Sequence, residues 1–314
     1  MQDLAPVPAA PRLPLVVGAY AALPADPRDQ AALYAGLAER GLATALEIPD
    51  THLLGVPEAD LAWLAGQLRG RFTESVVTAI PGTMKRQGKE PAFGLASNDE
   101  PGRRAAVSFV LELRQAAEQL NQATGENTVS VLQIHSAPSG TASMEAFSRS
   151  LEELASGDWS TRLAIEHCDA RSERFPGEKR FLPAGDEILL AQEHRLGLTV
   201  NWGRSALEGQ DPSLPLQHIR QAVAAGVLEG VMFSGAGSTA SQYGGPWADA
   251  HLPLSADEPT SLMDREAVAT CLRAAGAALR YRGAKVQTPH GADVARRLDV
   301  IGNVVAAVLQ GSES

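Results

Sequence analysis

Apolar and polar positions along the chain fall into short segments that switch between two periods. Compact runs rich in Val, Ile, Leu and Ala stand at 15–20, 43–48, 75–80, 128–135, 162–167, 197–201, 229–234 and 283–287. Each is too short for a helix and is bounded by turn-forming residues, so each predicts a buried strand. Between them, apolar residues at helical spacing predict helices over 26–40, 57–69, 100–122, 143–154, 186–195, 216–225, 263–280 and 292–309. In the first of these Leu33 and Leu37 share a face, and Gly41 is the stop signal. Two connections are long: 81–98 after the third strand and the Gly-rich 235–257 after the seventh. Long connections in a compact domain are more often functional than accidental.

Strands alternating with helices at a spacing of about 38 residues argue for an α/β protein with a parallel sheet. Eight such units close into a single (β/α)8 TIM barrel over residues 15–314. The rival is an open doubly wound sheet, which would want a Gly-rich phosphate turn after the first strand. Gly18-Ala19-Tyr20-Ala21-Ala22 does not supply one, and no nucleotide cofactor is expected. Residues 1–14 carry Pro6, Pro8, Pro11 and Pro14 and show no apolar periodicity, which predicts a flexible N-terminal arm.

Composition narrows the partners. Lys+Arg 27 against Asp+Glu 37 gives a net charge of −10, and no basic run stands out, so nucleic acid is not an expected partner. The apolar stretch at 13–25 lacks a basic leader and its neighbourhood is broken by prolines. No stretch approaches the roughly eighteen apolar residues of a membrane span, so a soluble chain with no membrane partner is expected. Cys168 and Cys271 match neither a zinc spacing nor a disulfide framework, which suits a reducing cytoplasm. Cys168 reads as a small buried thiol. A homo-oligomer is compatible with the sequence, which leaves open whether the arm reaches a neighbouring subunit.

The candidate chemistry lies at strand ends. The run 162–170 opens as an apolar strand and closes on Glu166, His167, Cys168 and Asp169. In a parallel barrel such C-terminal ends face the ligand. Glu47, His135, Asn201, Arg204, Lys285 and Gln287 stand at other strand ends, and Asp249 and His251 lie in the loop after the seventh strand. Glu166, His135, Asp249 and His251 could together hold a divalent cation such as Mn, Mg or Zn. Structural alternatives stand beside each: Glu166 paired with an arginine such as Arg204, Lys285 paired with Glu166, and each histidine simply hydrogen-bonded. Trp202 and Trp247 could wall a sugar ring or pack in the core. His52, His194, His218 and His290 read as ordinary helix or turn residues.

These strand ends resemble the xylose-isomerase-like barrel superfamily, which joins sugar isomerases and epimerases with metal-dependent abasic-site endonucleases. Ile165-Glu166-His167 is similar to that superfamily's fifth-strand Ile-Glu-Asn, whose glutamate is a metal ligand. Gln133-Ile134-His135 is similar to its fourth-strand end. Asp249-Ala250-His251 resembles the Asp-Arg-His that follows the seventh strand in the endonuclease branch. The chain departs from the pattern at three places. Asn201 stands where the family usually has aspartate, Ser234 where a histidine is expected, and Lys285 with Gln287 where the second catalytic glutamate belongs. The resemblance therefore implies a branch with a remodelled site.

The leading expectation is a sugar isomerase- or epimerase-like enzyme acting on a small sugar or sugar derivative. Glu166 would be ligand or base, and His135 and His251 ligands or acid/base groups. Arg204 and Lys285 would hold substrate oxygens or stabilise an enolate, with Glu47, Asn201, Trp202, Trp247 and Gln287 lining the site. A second expectation drops the metal and lets Lys285 form a Schiff base, as in a lyase or aldolase. A third is a non-catalytic sugar-binding barrel, motivated by Asn201 and Gln287. The endonuclease reading ranks last on charge.

Overall fold

The computed structural model describes residues 13–157 and 159–312. Among these, eight strands run in chain order: β1 (Leu15–Val17), β2 (Ala45–Pro49), β3 (Ser75–Thr78), β4 (Val129–Ile134), β5 (Arg162–His167), β6 (Gly197–Asn201), β7 (Leu228–Phe233) and β8 (Tyr281–Ala284). Every neighbouring pair is parallel, and β8 pairs with β1, so the sheet closes on itself. The principal helices are α1 (Pro27–Glu39), α2 (Glu58–Leu68), α3 (Ile80–Gln87), α4 (Glu100–Thr124), α5 (Met144–Leu154), α6 (Ala184–His194), α7 (Trp202–Gly209), α8 (Leu214–Ala224), α9 (Arg265–Ala275) and α10 (Val294–Gly311). Among the described residues no helix is long and apolar enough to cross a membrane.

Strand alternation divides the core in two. Outward-facing residues such as Val17, Leu46, Val77, Leu132, Ile165, Val200 and Val231 pack against the helices in one large cluster. Inward-facing Val16, Ala45, Val76, Val131, Ala164, Met232 and Tyr281 fill the barrel itself. The Tyr281 hydroxyl meets Gln133 Nε2 at 2.9 Å and Thr199 Oγ1 at 2.5 Å, which closes the middle of the barrel with a polar layer in which Gln133 Oε1 alone has no partner among the described residues. Inward positions one pleat further along the strands are polar, and they form the site.

Several boundaries differ from the sequence reading. The connection at 81–98 begins inside α3, because Pro81 occupies the first turn of a helix, where its missing N–H is harmless. Residues after β6 form α7 instead of an open strand end, with the Asn201 side chain accepting from the Arg204 N–H as the N-cap. β1 stops at Val17, and Ala19–Ala22 forms a single 3-10 turn. β8 starts at Tyr281, two residues before the expected start, and ends before Lys285. Its Tyr-Arg-Gly-Ala composition offers no apolar run, and only pairing with β1 and β7 defines it. Residues 1–12 of the expected arm lie outside the described residues, whereas the Pro14 carbonyl accepts from Arg282 N–H at the foot of the barrel.

Candidate functional site

Two ion-pair clusters occupy the C-terminal mouth of the barrel. In the first, Lys285 Nζ lies 2.6 Å from Glu47 Oε1, and both side chains are fully buried. The Tyr20 hydroxyl donates to the same Glu47 oxygen at 3.1 Å, and the ammonium stands 5.0 Å from the centre of the Tyr20 ring. β1 lies between the strands that carry this pair, and Gly18 at its end makes the crossing feasible. A Cβ on Gly18 would stand 2.8 Å from Lys285 Cγ.

Arg204 is the centre of the second cluster. Its Nη1 is 2.7 Å from Glu166 Oε1, close but outside hydrogen-bond alignment. Its Nε reaches Asp249 Oδ2 at 3.1 Å, and Nη1 also stands 3.4 Å from Cys168 Sγ. Glu166 Oε2 meets His135 Nε2 at 2.8 Å and the Thr78 hydroxyl at 3.3 Å. Asp249 binds Lys179 at 3.0 Å and His251 Nδ1 at 3.2 Å, and His251 Nδ1 also meets Ser234 Oγ at 2.8 Å.

Local structure explains how these groups arrive. Arg204 enters on the first turn of α7, which approaches β7 so closely that a Cβ on Gly203 would collide with the Ser234 carbonyl. Lys179 comes from the loop after β5. That loop is held by Asp169, whose carboxylate accepts the N–H groups of Glu178, Lys179 and Arg180. Asp249 and His251 come from the loop after β7, where Trp247 and His251 both take a left-handed backbone conformation, φ 54° and 49°. Such conformations in bulky residues concentrate at functional sites.

The electrostatics follow from burial against charge. Burial acts to raise the Glu166 carboxyl, but Arg204, the His135 hydrogen bond and Lys285 outweigh it and hold the group well below the usual carboxylate range. Asp249 behaves alike: burial raises it, and Arg204, His251 and Lys179 pull it far lower. Burial lowers His135 and outweighs the hydrogen bond and charge of Glu166, which act to raise it, while the field of Arg204 and Lys285 lowers it further, so the balance favours the neutral imidazole. With Glu166 ionised, His135 Nε2 carries the hydrogen and donates it to Oε2, which leaves Nδ1 as a bare lone pair. Burial brings His251 down to about 3. It also drives the Cys168 thiol far above its ordinary value, so Cys168 is the inert thiol expected.

The four expected metal ligands form two pairs, His135 with Glu166 and Asp249 with His251, and Arg204 stands between the pairs. His135, Glu166 and Cys168 do bring ligand atoms within 4.8 Å of one another, a grouping that allows a metal. Yet Arg204 Nη1 already rests against both Glu166 and Cys168. Around it the carboxylates of Glu47, Glu166 and Asp249 are matched by Lys285, Arg204 and Lys179. A divalent ion would add uncompensated positive charge to a buried, balanced site, so this arrangement does not fit one unless Arg204 is displaced.

Other predicted residues fall in different places. Asn201 points inward beside the clusters with its Nδ2 buried and unpartnered. Gln287 lies past β8, its N–H donating to the His251 carbonyl. Trp247 is half-buried in the loop after β7. Trp202 does not reach the mouth: it is fully buried in the outer core, because the first residue of α7 faces away from the barrel axis. Lys285 pairs with Glu47, and the alternative pairing with Glu166 is not formed. Tyr20, Thr78, Gln133 and Lys179 were not anticipated. Only Thr78 and Gln133 carried a signal, as polar residues at inward positions of otherwise apolar strands.

His167, one residue after Glu166, faces the helices. Its Nδ1 meets Glu187 of α6 at 2.6 Å and its Nε2 meets Glu208 of α7 at 2.9 Å. Burial acts against its charge, but the two carboxylates raise it to about 10. His218 of α8, expected to be ordinary, is buried beside it, with ring centroids 4.9 Å apart.

Comparison with known proteins fits this architecture. A family described as a domain of unknown function, DUF4862, matches residues 16–300, from β1 into α10. The chain belongs to the DUF4862 family. An uncharacterised protein of Salmonella typhimurium strain LT2 is 38% identical over 248 residues, which are 76% of this chain and 78% of that one. Among solved structures, D-psicose 3-epimerase with D-tagatose from Clostridium cellulolyticum H10 superposes with TM-score 0.58 at 14% identity, covering 95% of this chain and 97% of that one. Endonuclease IV from Thermus thermophilus gives 0.54 at 15%, covering 95% and 99%. A xylose isomerase domain protein from Alicyclobacillus acidocaldarius gives 0.53 at 14%, covering 96% and 99%. The DUF4862 chain thus shares the TIM-barrel fold of these structures.

Proposed function

We propose that the barrel mouth binds a small sugar or sugar derivative and moves a proton on it, as an isomerase or epimerase does. One observation carries this reading. Glu47 Oε2, Gln133 Oε1, His135 Nδ1 and Asn201 Nδ2 are buried polar atoms without a hydrogen-bond partner among the described residues, and all four belong to inward positions of β2, β4 and β6 or the residues that follow them. Buried polar atoms of folded proteins are nearly always paired, so a set converging on one mouth asks for a ligand of matching chemistry. A polyhydroxylated molecule, each hydroxyl both donor and acceptor, answers three acceptors and a donor. The sugar epimerase and isomerase neighbours support the class.

The residues then take natural roles. Arg204 and Lys285 are fixed cations in a low-dielectric site, suited to the negative charge that develops when a carbon next to a carbonyl loses its proton. His135 Nδ1 is the base: its Nε2–H is held by Glu166, which orients the ring and stabilises the imidazolium once the proton arrives. Lys285, whose ammonium is held by Glu47 at 2.6 Å, is the group that returns a proton from the other side, and it is reprotonated from solvent after turnover while His135 gives up the proton it took. Entry requires the loop bearing Asp249 and His251 to lift, since Glu47, His135, Glu166, Arg204 and Lys285 are all buried. A second reading is favoured by the 2.6 Å contact between Lys285 and Glu47, which gives a Schiff-base lysine a carboxylate to take its proton.

The test is solvent exchange. Protein incubated in D2O with a panel of keto and aldo sugars should place deuterium beside the carbonyl of one of them, read by NMR. His135→Ala should slow this on the order of a hundredfold to ten-thousandfold. Borohydride trapping of a sugar on Lys285 would establish the second reading instead. Failure of every sugar to exchange, to trap or to raise the melting temperature would overturn both.

A further inference from the structure

Outside the mouth, β5, α7 and α8 bring together a second group of ligating side chains. His167, His218 and Glu208 each bring a ligand atom within 4.8 Å of the others. Glu208 Oε2 is 2.9 Å from His167 Nε2, and Oε1 is 3.8 Å from His218 Nε2, too far for a hydrogen bond. Two donors each 2.0–2.1 Å from a tetrahedral ion stand about 3.3 Å apart, so the two spacings straddle the value such an ion needs.

The far nitrogens of both rings are already held. His167 Nδ1 meets Glu187 Oε2 at 2.6 Å, and Glu187 is itself fixed by the Ser136 hydroxyl at 2.5 Å. His218 Nδ1 meets Ser205 Oγ at 3.0 Å. A carboxylate or hydroxyl behind Nδ1 is the arrangement that orients metal-bound imidazoles and leaves Nε2 forward. Glu208 is anchored too, by the Ala170 N–H at 2.9 Å. It alone of the three is appreciably open, its side chain 17% exposed, which gives the group an entrance.

We propose that His167, His218 and Glu208 form a binding site for a zinc-class divalent ion on the outer wall of the barrel, separate from the mouth. Two imidazoles and one carboxylate suit borderline ions such as Zn2+ or Co2+ and leave a coordination position for water. The ion takes the place of the proton that His167 shares with Glu208. It would tie α7, the helix that carries Arg204 into the mouth, to both β5 and α8.

Cobalt titration tests this. Chelator-stripped full-length protein titrated with Co2+ should develop visible absorption bands of a low-coordinate ion, and Zn2+ should abolish them by competition. His218→Asn, which keeps a group for Ser205 but removes Nε2, should weaken binding at least about tenfold, and so should Glu208→Gln. Glu166→Gln, in the barrel mouth, should leave the bands unchanged. The proposal fails if no bands appear at millimolar Co2+. It fails equally if both outer-wall variants, with melting temperatures showing them folded, bind like the parent, or if Glu166→Gln alone removes the ion.

Discussion

Arg204 Nη1 lies 2.7 Å from Glu166 Oε1 with both side chains buried, so the strand-end carboxylate at the heart of the barrel is neutralised by a residue of its own chain. The same guanidinium reaches Asp249, and one fixed cation thereby stands between the two carboxylates expected to share a metal. A buried charge pair of this kind adds little net stability, but removing one member leaves the other unpaired in low dielectric.

Arg204→Met should therefore destabilise the protein by about 3–5 kcal/mol, because Glu166 loses its cationic partner and Asp249 is left with only Lys179 and His251. Arg204→Lys, which keeps the charge but not the fork, should lose less. Urea denaturation measures both, and a loss under about 1 kcal/mol for the methionine variant would show the pair to be solvated.

Charge balance at the mouth predicts that the sugar-dependent exchange, or failing that the sugar-induced thermal shift, survives dialysis against chelator. If it vanishes and returns with Mn2+, Mg2+ or Zn2+, an ion does enter among His135, Glu166 and Cys168, and Arg204 moves aside to admit it.

Gly18→Ala would press a methyl group against Lys285, whose Cγ lies 2.8 Å from the position it must occupy. Overpacking of this sort costs about 1–3 kcal/mol, and here it also pushes the ammonium off Glu47. Activity or sugar affinity should drop well beyond what the small fall in melting temperature explains.

Stability should peak near neutral pH and decline on both sides. His218 and His251 fold with values near 4 and 3 against an ordinary 6.5, so below pH 6.5 the unfolded chain gains protons the folded one refuses and stability falls. His167 is raised to about 10, so its contribution is complete below pH 6.5 and is lost as the pH climbs to about 10. His167→Gln should flatten the alkaline decline in denaturation measured across pH, and an unchanged alkaline limb would contradict the Glu187–His167–Glu208 assignment.

The two tryptophans should separate cleanly. Trp202→Ala empties the outer core and should cost about 3–5 kcal/mol. Trp247→Ala, in the loop over the mouth, should leave the melting temperature nearly unchanged and weaken the sugar-induced shift. The reverse pattern would remove Trp247 from the site.

Period and spacing were enough to specify the barrel. A strand buried on both faces has to be short and apolar, a covering helix has to show an apolar stripe, and eight repeats of that unit leave few ways to close a sheet. The same logic put Glu47, His135, Glu166, Asn201 and Lys285 at one end, because polar residues at the ends of apolar strands have a mouth as their natural destination. The pairing of Glu166 with Arg204 stood among the alternatives read from the sequence, and the structure forms it, but the partner of Lys285 was not legible. Whether Lys285 would meet Glu166 or Glu47 depended on which strands flank β1 once the barrel closed, on the missing side chain of Gly18, and on where β8 ended. Trp202 and Arg204, two residues apart, went to opposite sides because α7 formed where the sequence suggested an open strand end. His167 and Glu166 parted because neighbours on a strand face opposite ways, and only the packing of α6, α7 and α8 against the barrel gave His167 its carboxylates and His218. Local pattern fixes which residues reach a surface, whereas pairing between residues far apart in the chain is settled by closure and by the room that neighbouring side chains leave.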